Sequence, residues 1–141
     1  MAAANKVIDM RSDTVTTPTQ KMKEAMMQAK VGDDVYGEDP TVILLQNKIA
    51  GLLKKESALY FPSGTMSNLV GIMAHANTRG DEVILGDRSH IAIWEQGSIS
   101  QVGGVFARQV KNLDDGTLDL DDLQSKSIKV VLMVTIVILV Q

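Results

Sequence analysis

Apolar side chains recur at helical spacing in the first part of the chain and gather into short bounded runs beyond it. After Thr17-Pro18, which resembles an N-cap followed by proline at the first helical position, Met22, Ala25, Met26 and Ala29 share one face before Gly32. Asp39-Pro40 repeats that start signal, and Val42, Leu45, Ile49 and Leu52 form the apolar stripe of a second helix. Two helices thus precede any strand. Ser57 to Phe61 is a short apolar run predicted as a strand. It ends at Pro62-Ser63-Gly64-Thr65, and Leu69, Ile72, Met73 and Ala76 then mark a third helix. Glu82 to Gly86 reads as a strand, a helix is expected from about Ile93, and Val105 to Val110 reads as another strand. Asn112 to Gly116 is a turn, and Asp119 caps a short helix carrying Leu120 and Leu123. Strand and helix alternate, which predicts an α/β fold.

The last run, Ile128 to Val140, is apolar but interrupted by Lys129. It falls short of the ~18–20 residues that a membrane-spanning helix needs, so a buried strand is the expectation. Its β-propensity, with neither charge nor proline from Val130 to Val140, also marks an aggregation hazard. No repeat, low-complexity tract or linker interrupts the chain.

Composition narrows the classes of function. The 141 residues are 45% hydrophobic and 22% charged, and aromatics make up only 4%, so aliphatic side chains and methionine must supply the packing of a globular chain. There is no cysteine, which excludes disulfides and thiolate metal sites. A net charge of −3 gives no basic surplus to neutralise phosphates, arguing against a nucleic-acid binder and for a small-molecule partner. The N-terminus lacks the layout of a secretory signal, and a cytoplasmic address without membrane attachment is expected.

The turn Pro62-Ser63-Gly64-Thr65 lies before a helix, where unpaired N–H groups and the helix dipole favour an anion such as phosphate. Gly64 allows close backbone approach, and the Ser63 and Thr65 hydroxyls can donate. Such residues also serve simply as N-caps. His90 follows a predicted strand at its carboxyl end, where ligands of open α/β sheets bind. It could stack on a flat ring or act as an acid or base, although an isolated histidine is more often a surface or satisfied polar residue. His75 is read as structural. The segment 32–40, Gly-Asp-Asp-Val-Tyr-Gly-Glu-Asp-Pro, is acidic but lacks the ligand spacing of a calcium loop, so no metal site is expected. A turn with a helix cap explains its glycines and aspartates, but not Tyr36.

Considered together, Asp9-Met10-Arg11-Ser12-Asp13-Thr14-Val15-Thr16, the stretch Val31 to Thr41, and Phe61-Pro62-Ser63-Gly64-Thr65-Met66-Ser67-Asn68 resemble the three opening signatures of threonine aldolases, in the same order and spacing. The likeness runs from about Ile8 to about Leu123 and includes His90 and Glu95-Gln96-Gly97. It implies a pyridoxal-phosphate enzyme of fold type I, with a large domain built on a mostly parallel sheet and subunits paired as a homo-oligomer, a dimer or tetramer. The whole of 1–141 would then be the N-terminal segment and first part of that pyridoxal-phosphate-binding domain, with 128–141 an aberrant tail.

The implied reaction cleaves the Cα–Cβ bond of a β-hydroxy amino acid, giving glycine and an aldehyde such as acetaldehyde. By the same resemblance Ser63, Gly64 and Thr65 would hold the phosphate of pyridoxal 5'-phosphate, and His90 would stack on its ring. His90 is also the candidate catalytic base, alone or through water, while stacking alone would also justify its position. Ser12 and Tyr36 would meet the substrate, with Glu95 as a polar neighbour. Arg11 and Asp13 would be structural. The family's cofactor lysine, its ring-nitrogen aspartate and its carboxylate-binding arginine are expected beyond Gln141. Taken by itself the chain is therefore expected to be inactive, and a noncatalytic product that joins intact subunits or does not fold is the alternative. A Rossmann-like nucleotide site ranks last, because Ser63-Gly64-Thr65 has neither G-x-G-x-x-G nor a phosphate-loop lysine.

Overall fold

The computed structural model describes residues 7–126. These divide into two compact units with the boundary between Tyr60 and Phe61. The expected C-terminal strand lies outside the described residues.

The first unit opens with a single 3₁₀ turn, Asp13–Val15, capped by the Ser12 hydroxyl. Helix α1, Gln20–Gln28, begins two residues later than Thr17-Pro18 suggests, because the Thr19 hydroxyl supplies the cap by accepting from the Met22 amide. Helix α2, Pro40–Leu53, starts where expected. Asp39 is buried and accounts for three amides: Oδ1 accepts from Thr41 and Val42, and Oδ2 accepts from Gly32, each at 2.9 Å. Gly32 is tightly enclosed, since a Cβ there would stand 2.4 Å from the Glu38 carbonyl oxygen. The acidic segment is thus a loop closed on the cap of α2.

The strand expected over Ser57–Phe61 does not form. The Tyr60 amide donates to the Gln46 side chain at 2.9 Å, so a side chain has taken a backbone donor that a ladder would have used.

The second unit carries the sheet. Helix α3, Gly64–His75, is capped by the Ser63 hydroxyl. Strands β1, Glu82–Gly86, and β2, Phe106–Val110, pair in parallel, with Glu82 opposite Phe106 and Gly86 opposite Val110. Between them run two short helices, α4, His90–Ile93, and α5, Ser98–Gln101. The one helix expected from Ile93 is therefore displaced and divided. Gln96 at φ 55° and Gly97 at φ 66° take the chain into the left-handed region, where a right-handed helix cannot continue. Helix α6, Leu120–Lys126, follows the 112–116 turn, and Asp119 Oδ1 accepts from the amides of Asp121 and Asp122.

The core joins Ile72 and Ala76 of α3, Leu85 of β1, Ile99 of α5 and Val105, with Leu69, Val83, Ile91 and Ala107 packed against it. Leu69, Ile72 and Ala76 are helical positions that the apolar pattern marks, and Val83 and Leu85 alternate along β1. On β1 and β2, Arg108 pairs with Glu82 and lies 5.3 Å from the Phe106 ring centroid. That guanidinium holds the Glu82 carboxyl below its ordinary range. Among the described residues no helix is long and apolar enough to cross a membrane.

Candidate functional site

The carboxyl ends of the two strands are tied together by polar contacts. The Asn112 amide donates to Asp87 Oδ1, and Asn112 Oδ1 accepts from the Arg88 amide, both at 2.9 Å. Gly86 permits this, because a Cβ there would lie 2.3 Å from Asn112 Oδ1. The chain then passes through Ser89, whose hydroxyl caps α4, and presents His90 as the first residue of that helix.

His90 is not isolated. Its Nδ1 lies 2.8 Å from Glu95 Oε1 while its side chain remains 61% exposed, and the Glu95 side chain is fully buried. The same Oε1 accepts from Asn68 Nδ2 at 2.6 Å. Glu95 Oε2 and the Ser98 hydroxyl, both buried, have no hydrogen-bond partner among the described residues. Unsatisfied buried polar atoms are uncommon and cluster where chemistry is done.

Asn68 connects this group to the turn 62–65. It lies four residues beyond Gly64 on α3, hence one turn, about 6 Å, along the same face. At the head of α3 the Ser63 hydroxyl accepts from the Met66 amide, and the Ser67 amide bonds the Ser63 carbonyl. Among the described residues the Gly64 and Thr65 amides have no acceptor. These two donors, the Thr65 hydroxyl and the helix dipole suit a phosphate. An anion-accepting helix head and an exposed imidazole are, by their chemistry, residue types that fit pyridoxal 5'-phosphate.

Ser63, Gly64, Thr65, His90 and Glu95 therefore all belong to the second unit. Ser12 and Tyr36 belong to the first. The Ser12 hydroxyl is engaged locally, accepting from the Thr14 hydroxyl at 3.0 Å and donating to Asp13 Oδ1 at 3.2 Å. Tyr36 sits in the turn after Asp34, 79% exposed. Arg11 pairs with Asp9, which lowers the Asp9 carboxyl below its usual range. The sequence gives Asn68 no role of its own within the Phe61–Asn68 signature. The available signal is an amide four residues before Ile72, on the face of α3 that the apolar spacing turns inward.

Comparison with known proteins identifies the family. Residues 9–138 match the beta-eliminating lyase family. Low-specificity L-threonine aldolase 1 of Arabidopsis thaliana is 52% identical over 118 residues, covering 84% of this chain and 33% of that protein. The low specificity L-threonine aldolase of Escherichia coli K12 is 47% identical over 120 residues, covering 85% of this chain and 36% of the other. A solved structure from Listeria monocytogenes, described as an L-allo-threonine aldolase, superposes with a TM-score of 0.60 at 25% identity, covering 77% of this chain and 31% of that one. The chain spans about a third of the length of these relatives. With its α/β fold and its match over nearly all of its length, this chain belongs to the beta-eliminating lyase family.

Proposed function

We propose that this chain provides the cofactor-facing part of a pyridoxal-phosphate lyase that cleaves threonine or allo-threonine to glycine and acetaldehyde. One observation carries the reading. An exposed imidazole pairs with a buried carboxylate, and that carboxylate accepts from Asn68, which lies one helical turn beyond a helix head whose first two amides have no acceptor among the described residues. Gly64 and Thr65, with Ser63, would hold the phosphate. His90 would lie against the ring and accept the β-hydroxyl proton as the Cα–Cβ bond breaks. The cofactor, when bound, supplies an electron sink for the bonding pair released at Cα. Ser12 would meet the substrate carboxylate, and Tyr36 would stand near the substrate, with Glu95 a polar neighbour behind His90. A homo-oligomer in the cytoplasm belongs to the same proposal.

The test uses a complete protein containing this sequence. His90→Asn is expected to lower acetaldehyde release from threonine about 100-fold or more, the usual weight of an acid-base group, while cofactor content falls much less. Equal losses would reduce His90 to a stacking partner, and unchanged turnover would sink the assignment. Assayed by itself, the 141-residue chain is expected to release no acetaldehyde.

A further inference from the structure

Asn68 has no part in the reaction as proposed, yet its surroundings are closely specified. It is 3% exposed on α3 and donates Nδ2–H to Glu95 Oε1 at 2.6 Å. The same oxygen lies 2.8 Å from His90 Nδ1. A carboxylate oxygen offers only lone pairs, so both neighbours must bring hydrogens to it. Asn68 and His90 therefore share Oε1 as acceptor, one hydrogen from each. The backbone holds the carboxylate in place: the Ser98 amide donates to the Glu95 carbonyl at 3.0 Å across the left-handed Gln96-Gly97 turn.

We infer that Asn68, acting through Glu95, is a positioning residue that keeps neutral His90 protonated at Nδ1 and leaves Nε2 free to accept a proton. A neutral imidazole carries one N–H, and the partner of one nitrogen decides the state of the other. The use of Nε2 as the base for a β-hydroxyl rests on the lyase reading. The tautomer does not.

The chain has only two histidines, and the second, His75, is exposed in the last turn of α3, so it serves as an internal reference. The full chain is labelled with nitrogen-15 in the histidine rings, and the ring nitrogens are read by NMR about two pH units above the ordinary histidine value of about 6.5. His90 is expected as a single species with hydrogen on Nδ1, while His75 shows the mixture of an unrestrained ring. Asn68→Leu, which removes the donor at similar size, should move His90 toward the His75 pattern, and Asn68→Ala should do the same. Hydrogen on Nε2 of His90 in the parent, a parent His90 indistinguishable from His75, or an unmoved His90 in a folded Asn68 variant would each overturn the inference. If neither variant folds, the parent spectrum decides.

In the complete enzyme, Asn68→Leu should lower turnover about 10- to 100-fold, the loss seen when an outer partner of a functional imidazole is removed. A fixed tautomer alongside normal turnover in His90→Asn would discard the lyase role and leave the positioning intact.

Discussion

Thr65 stands on the first turn of α3 with its side chain exposed and its amide without an acceptor among the described residues, so its hydroxyl is available to an incoming anion. In a complete protein, Thr65→Ala should weaken cofactor retention by roughly 1–3 kcal/mol, the worth of a hydrogen bond to a charged oxygen. Equilibrium dialysis against pyridoxal phosphate measures it, and an unchanged dissociation constant would remove Thr65 from the phosphate site. Gly97 allows a cleaner measurement. At φ 66° it occupies the left-handed region, and no atom lies within 4 Å of a Cβ placed there. Gly97→Ala should therefore cost about 1–2 kcal/mol through backbone strain alone, seen as a lower denaturation midpoint with an unchanged slope. A neutral substitution would mean that the turn relaxes freely. At this scale the site was partly legible from sequence. Ser63, Gly64 and Thr65 announce themselves by lying at a turn before an apolar helix. The partnership of Asn68, Glu95 and His90 joins residues 27 and 5 positions apart, and no spacing rule predicts which buried amide a carboxylate will meet.

Helix α2 shows how much a single cap can organise. Asp39 accepts from the amides of Val42, Gly32 and Thr41, and these bonds, led by that from Val42, hold its carboxyl below the usual aspartate range. A depressed folded value contributes stability that is complete above the unfolded value of about 3.9 and is lost as pH falls through the folded one. Asp39→Asn keeps a good capping residue but removes the charge. The stability gap between parent and variant should be full near pH 6 and narrow below about pH 4. Denaturant titrations at several pH values check this, and a gap that stays constant into acid would refute it. The cap, α2, both described strands and α6 were readable because their start signals and apolar periods coincide. Three readings were not. Thr19 displaced Thr17-Pro18 as the cap of α1, and a glutamine side chain took the amide of Tyr60. Two left-handed residues then split a helix whose composition would have allowed it to continue. Each is a local competition for one hydrogen bond or one dihedral well, which periodicity does not register.

Across the whole molecule, burial is uneven. Residues 7–60 bury only Asp39 and Ala50, and Met22, Met26 and Met27 of α1 are all more than half exposed, whereas residues 61–126 hold Ile99, Val105 and Val110 almost wholly out of solvent. Opening free energies follow such differences. The α1 amide of Lys23 should exchange with deuterium at least about tenfold faster than those of Val105 and Phe106, a gap of roughly 1.4 kcal/mol. Residue-resolved exchange would test it, and equal rates would mean that the two units open together. The parallel pairing of β1 with β2 has a consequence for the making of the protein. Each rung joins residues about 24 positions apart, from Glu82 with Phe106 to Gly86 with Val110. A ribosome adding about 5–20 residues per second would release Val83-Ile84-Leu85 roughly one to five seconds before their partners exist. Through that interval the nascent strand is an unpaired apolar edge, and its protection in the cell depends on the pace of translation and on whatever shields the emerging chain.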